Sequence, residues 1–197
     1  QAGVINMKKL FFFLFFFLAL TSSVSALEED SLSDPLNIVI IPFELIGDDM
    51  PNQSIEEIIR NDLNRSVRFK ASLSHIAGSI REEINFDLYS LKDAVILGKI
   101  NKVSDTTYDL YIYIYDIASE KALYQKKILI SDSGFRKVAH YLSDKIYEIL
   151  LDAEGSYSTS LAYVEVKKNN SGESIYDLKI SDSDGFNPQT VVRSSKP

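Results

Sequence analysis

Residues 36–43 read Leu36-Asn37-Ile38-Val39-Ile40-Ile41-Pro42-Phe43. An apolar, β-branched run without alternation suits a strand covered on both faces, and such a strand needs a layered α/β body around it. Pro42 ends the run, since it has no amide to give to a ladder. After the turn-rich stretch Gly47–Gln53, Ser54-Ile55-Glu56-Glu57 fits a capping box, with the Ser54 hydroxyl placed for the Glu57 amide. Ile55, Ile58, Ile59 and Leu63 then fall on one face of a 3.6-residue period, predicting a helix that stops near Ser66.

Ala71–Leu91 reads as a loop or short helical segment around Ile76, Ile80 and Ile84. Ala94–Ile100 is a second buried strand. Tyr108–Asp116 is a third, with Tyr108, Leu110, Ile112 and Ile114 on one side and Tyr111, Tyr113 and Tyr115 on the other. Ala118–Lys121 turns the chain into a fourth strand, Ala122–Ile130. Phe135, Val138, Leu142, Ile146 and Ile149 define a long helix over Gly134–Leu151, with Ser131 or Ser133 as its expected N-cap. Together these elements predict a two-layer α/β (α+β) domain over residues 36–155, with a mixed sheet and helices on one or both faces.

Beyond Gly155 the pattern changes. Leu161–Val166, Ile175–Ile180 and Gln189–Arg193 are strand candidates, separated by the turn signals Asn169-Asn170-Ser171-Gly172 and Asp182-Ser183-Asp184-Gly185.

The N-terminal segment belongs to export rather than to the fold. From Met7, two lysines precede the apolar run Leu10–Leu20, and a polar stretch closes on Val24-Ser25-Ala26. This is the three-part layout of a secretory signal peptide over residues 7–26, cut between Ala26 and Leu27. Eleven apolar residues as a helix reach roughly 16 Å, about half of the bilayer hydrocarbon, so a stable membrane insertion after cleavage is not expected. Met7 is read as the initiator and residues 1–6 as upstream sequence. Removing residues 1–26 takes away two lysines and no acid, leaving 19 basic against 28 acidic side chains, a net charge of −9. The next residues, 27–35, are acidic and end in Pro35, as in a flexible tail.

Chemistry is sparse. With no Cys there is no disulfide framework, thiolate nucleophile or lipidated N-terminal cysteine. The acidic balance disfavours nucleic acid. No G-x-S-x-G elbow, phosphate loop or dinucleotide fingerprint occurs. His140 sits mid-helix, one residue off the apolar stripe, and reads as structural; His75 lies in a loop without a metal-spaced partner. Asp182-Ser183-Asp184-Gly185 fails as an EF-hand, because alignment on Gly185 puts Ile180 and Val191 at the terminal ligand positions, and it reads as a hairpin turn. The paired acids Asp48-Asp49, Glu56-Glu57 and Glu82-Glu83 read as solvated charges or helix-dipole complements. No catalytic residue, cofactor or metal site is assigned. Tyr111, Tyr113 and Tyr115 remain a candidate binding face for sugar or peptide, against packing of their rings under a helix.

Several blocks resemble the amino-terminal domain of the TolB family of the Tol–Pal envelope system. They are residues 36–43, residues 59–69 (Ile-Arg-Asn-Asp-Leu-Asn-Arg-Ser-Val-Arg-Phe), residues 93–100, and, most specifically, Phe135–Glu148 and Ser181–Gln189. The resemblance implies an α/β domain followed by a β-propeller, with residues 156–197 its first strands and the propeller truncated at Pro197. It also implies a non-enzymatic periplasmic protein-binding scaffold that serves envelope integrity, cell division and bacteriocin import. In such proteins Pal docks on the propeller, a surface mostly lacking here, and the mature N-terminal segment binds TolA. That role falls on Leu27, Glu28, Glu29 and Asp30, although this tail is shorter and more acidic than the family's. Isolated propeller strands expose unpaired edges, so residues 161–197 are expected to be loosely ordered beside an N-domain that folds alone. Two other readings are the leading part of a propeller-associated hydrolase, and a free-standing periplasmic ligand-binding domain using the tyrosine face.

Overall fold

Strand β1 (Leu36–Ile40) lies at the heart of the α/β body, as its unbroken apolar run requires. The computed structural model describes residues 34–48, 54–75 and 84–196. The signal segment with Ala26, the tail residues Leu27, Glu28, Glu29 and Asp30, and Ile76, Ile80, Glu82 and Glu83 lie outside the described residues. Ile38 and Ile40 are fully buried on one side of β1, and Val39 and the following Ile41 are buried on the other, in two separate apolar clusters.

The sheet is mixed and six-stranded. Strand β1 is flanked in parallel by β3 (Phe69–Leu73) and β4 (Ala94–Ser104), β5 (Thr107–Asp116) and β6 (Lys121–Ser131) follow antiparallel, and β2 (Glu44–Ile46) runs beside the far half of β4. Gly98 on β4 lets the Phe43 ring lie against the strand, where an added Cβ would fall 2.7 Å from a ring carbon.

Helix α1 (Ile55–Arg65) starts as expected, with the Ser54 hydroxyl accepting the Glu57 amide at 3.1 Å, and ends at Ser66. Helix α2 spans Phe135–Leu151. Both helices cover the same face, where Ile55, Ile59, Leu63, Phe135, Leu142 and Ile146 pack on Ile38, Ile40, Ile96 and the inward side chains of β5. Each fully buried side chain of this kind contributes about 1.5–3 kcal/mol. The alternation on β5 is as expected, with Tyr108, Leu110, Ile112 and Ile114 buried and the intervening tyrosines half-buried.

Two expectations fail. The segment Ala71–Leu91 is not a loop or short helix from its start: Ala71–Leu73 complete β3 (Phe69–Leu73), although FKASL carries little intrinsic strand preference. Pairing with β1 creates this strand, and the Asn64 carboxamide supports its outer edge, donating to the Ala71 carbonyl and accepting its amide, both at 2.8 Å. Nor do Ser131 or Ser133 cap α2. A 3-10 turn over Asp132–Gly134 intervenes, Gly134 occupies the N-cap, and no side chain bonds the first turn. On the opposite face of the sheet a second 3-10 turn, Phe86–Tyr89, covers Val39, Val95 and Leu97.

A separate antiparallel sheet holds β7 (Ser160–Lys168), β8 (Ser174–Asp182) and β9 (Gln189–Ser194). The β7–β8 ladder is regular, and the β8–β9 ladder shifts register between Leu178 and Lys179. Yet among its strand residues only Asp177 and Ser181 are buried, while Leu161, Val164, Val166, Leu178, Ile180, Val191 and Val192 are exposed. Among the described residues no helix is long and apolar enough to cross a membrane.

Candidate functional site

The richest concentration of polar chemistry lies where α1 and α2 meet the three-stranded sheet. Asp62 sits on the apolar stripe of α1 between Ile59 and Leu63, with only 1% of its surface exposed. A buried carboxylate must be paired and fully hydrogen-bonded to be tolerated there. Its Oδ1 accepts from Arg65 at 2.9 Å, and its Oδ2 accepts from the Ser143 hydroxyl at 2.8 Å and lies 2.7 Å from His140 Nδ1. Ser143 and His140 are both on α2, so this network cross-links the two helices beneath the apolar layer. His140 is buried, and among the described residues its Nε2 has no hydrogen-bond partner.

A second set of contacts reaches from α2 to the three-stranded sheet. Arg136 donates through Nε to Asp182 at 2.9 Å, pairs through its terminal nitrogen with Asp184, and stacks 3.9 Å from the centre of the Phe186 ring. Burial works against ionisation of Asp184, but the Arg136 guanidinium and the Phe186 amide outweigh it and hold the carboxyl below its ordinary value. The Asp182–Gly185 segment is the hairpin turn expected, closed by the Gly185 amide on the Asp182 carbonyl at 2.9 Å.

The linker between the two sheets is tied down as well. Asp144 accepts the Tyr157 amide at 2.6 Å and the Ser158 amide at 3.0 Å. Gly155 is required beside it, because a Cβ there would sit 2.6 Å from the Asp144 Cα. Arg65 bonds Ser183 at 3.2 Å, and Ser183 donates to the Tyr157 carbonyl at 2.5 Å. Burial pushes the Tyr157 phenol up to about 12, so it stays neutral. A cleft of about 460 Å³ opens here, lined by Arg65, Ser66, Tyr147, Gly155, Tyr157 and Ser183.

Sequence reasoning named His140 and the 182–185 turn but did not bring them together, and it missed Asp62, Arg136 and Asp144. The available signal was an acid standing in the apolar stripe of α1, a place where an unpaired charge is not tolerated. The candidate face on β5 divides. Tyr113 and Tyr115 stack at 6.4 Å and pack with Ile84, Phe86 and Tyr89, whereas Tyr111 lies between Lys99 and Lys127, 5.9 and 5.5 Å from its ring centre. His75 is exposed. Asp62, His140 and Asp184 alone, among the described residues, gather three groups able to hold a metal ion, their ligand atoms within 4.8 Å of one another.

Comparison with known proteins returns the same architecture. The family model "TolB amino-terminal domain" matches residues 29–123. A Tol-Pal system protein TolB from Ruthia magnifica is 42% identical over 176 residues, covering 88% of this chain and 41% of that protein. One from Vesicomyosocius okutanii is 41% identical over 162 residues, covering 81% and 38%. The crystal structure of TolB from Acinetobacter baumannii superposes with a TM-score of 0.68 at 28% identity, covering 83% of this chain and 40% of that one. The chain thus spans about two fifths of the length of these relatives. From the α/β body through the junction to the three-stranded sheet, it belongs over that shared segment to the TolB family, whose amino-terminal domain it carries.

Proposed function

We propose that this chain is the amino-terminal part of a periplasmic component of the Tol–Pal envelope complex, a protein-binding scaffold serving outer-membrane integrity, cell division and bacteriocin import. The observation that carries this reading is the 42% identity over 176 residues to a Tol-Pal system protein TolB. In this reading residues 7–26 direct export and are removed between Ala26 and Leu27. The new N-terminal segment, Leu27, Glu28, Glu29 and Asp30, is the TolA-binding tail, and residues 156–197 are the opening strands of a β-propeller, the part on which Pal docks in such proteins. The polar junction supports a scaffold: its carboxylates accept from guanidinium groups, the Ser143 hydroxyl and backbone amides, which ties the two sheets together.

Expression of the full chain in cells lacking TolB tests the proposal. N-terminal sequencing of the periplasmic fraction should return a product beginning at Leu27, and this product should crosslink to TolA. Retention in the cytoplasm with an uncut N-terminus, or loss of crosslinking only when Tyr111, Tyr113 and Tyr115 are all changed to Ser, would contradict it; the latter would favour a ligand-binding face on β5.

A further inference from the structure

The junction holds a feature that scaffolding does not use. His140 is 4% exposed, its Nδ1 lies 2.7 Å from Asp62 Oδ2, and its Nε2 is buried without a hydrogen-bond partner. Asp62 is itself fixed by Arg65 and Ser143, so its carboxylate holds the imidazole in place from the Nδ1 side. A carboxylate behind one ring nitrogen and an unpartnered nitrogen on the other side is how proteins present a metal-binding histidine. A stranded polar atom inside a protein otherwise costs about 1–3 kcal/mol.

Asp184 supplies a second ligand. One ligand atom from each of Asp62, His140 and Asp184 lies within 4.8 Å of the other two. Two ligand atoms on one ion at ~2.0–2.2 Å lie roughly 3–4 Å apart, so Asp184 has to move toward the imidazole to bind with it. Asp184 can make that movement, because it stands on the exposed turn between β8 and β9. Arg136 now holds Asp184 but also bonds Asp182 through Nε, so it keeps an anionic partner when Asp184 turns toward the imidazole. Three carboxylates, Asp62, Asp182 and Asp184, face two guanidinium groups, Arg65 and Arg136.

We infer that His140 Nε2 and the Asp184 carboxylate, with Asp62 orienting the imidazole from behind, form a binding site for a divalent transition-metal ion at the junction of the two sheets. A nitrogen and a carboxylate with the remaining positions left to water suit a borderline cation such as Zn²⁺ better than Mg²⁺ or Ca²⁺, which prefer all-oxygen shells. When filled, the site joins α2 directly to the β8–β9 turn, and the metal stabilises that attachment by mass action.

Two histidines and no cysteine make the background low. The full chain is titrated with ZnCl₂ by calorimetry and with CoCl₂ by visible absorption, alongside His140→Asn, Asp184→Asn and His75→Asn. The inference expects one saturable site per chain, weakened at least about tenfold by His140→Asn and by Asp184→Asn and unchanged by His75→Asn. Asp184 lies on an exposed turn, so its variant decides the matter even where His140→Asn fails to fold. No saturable binding to the folded chain, binding by Asp184→Asn as tight as by the parent, or a site that follows His75 would overturn the inference.

Discussion

The six-stranded sheet and the three-stranded sheet are built from similar strands but held by different forces. In the first, alternate residues of β4 and β5 lie under two helices, and the stabilising term is apolar burial. In the second, the apolar side chains of β7, β8 and β9 are exposed on the isolated sheet, and the buried positions are polar: Asp177, clamped by Arg193 at 2.6 and 2.8 Å, and Ser181. A sheet of three strands without a covered face is marginal in water. What fixes it in place is the junction, through Arg136, Arg65 and Asp144. One region is stable by its own core, and the other is stable by attachment.

The largest effect is expected from Leu142→Asp, which puts an unpaired charge into the apolar core between the helices and the sheet. It should cost more than about 5 kcal/mol, enough to unfold the α/β body. A cooperative melt unchanged from the parent would show that the helical face is not the source of stability. Next comes Asp62→Ala, which removes the carboxylate that Arg65, His140 and Ser143 share. A loss of about 3–5 kcal/mol in chemical denaturation is expected; a loss below 1 kcal/mol would mean that the helices are held by apolar contacts alone.

Arg136→Ala separates the two regions. It should leave the main melting transition nearly unmoved while exposing residues 160–196 to limited proteolysis, at a local cost of about 1–3 kcal/mol. Cleavage that rises equally in β4 and β5 would break the distinction. Acid gives the smallest effect. Asp184, Asp177 and Glu165 are all held below their ordinary values, the last two mainly by hydrogen bonds from Arg193 and from Lys179. Groups lowered in the folded state stabilise it above the unfolded-state value and cease to do so as pH falls through the folded-state value. Stability of the three-stranded sheet should therefore decline below about pH 4, the carboxylate range, before the α/β core melts. A proteolysis profile at pH 3 identical to that at pH 7 would contradict this.

The α/β body was legible because its signals are periodic. The continuous run of β1, the alternation on β5 and the 3-4-4-3 spacing of α2 each state a face, and the structure buries those faces. Strand β3 was not legible, because FKASL becomes a strand through its neighbours, β1 on one side and the Asn64 side chain on the other. The caps of α2 misled for a related reason: Ser131 and Ser133 have the right chemistry, but a 3-10 turn shifts the helix start past both. The junction was hidden by distance along the chain. Asp62 and His140 are 78 residues apart, and Arg136 and Asp184 are 48, so no local pattern joins them. The segment Asp182–Gly185 forms the expected hairpin turn, and its acids accept from an arginine.

Native-state hydrogen exchange by mass spectrometry tests the central claim most directly, since it reads local opening segment by segment. Amides of β4 and β5 should exchange only through global unfolding, while those of β7, β8 and β9 exchange through a lower-energy opening that Arg136→Ala accelerates and leaves β4 and β5 untouched. Equal protection across both sheets, with Arg136→Ala changing neither or both alike, would show that the three-stranded sheet does not depend on the junction.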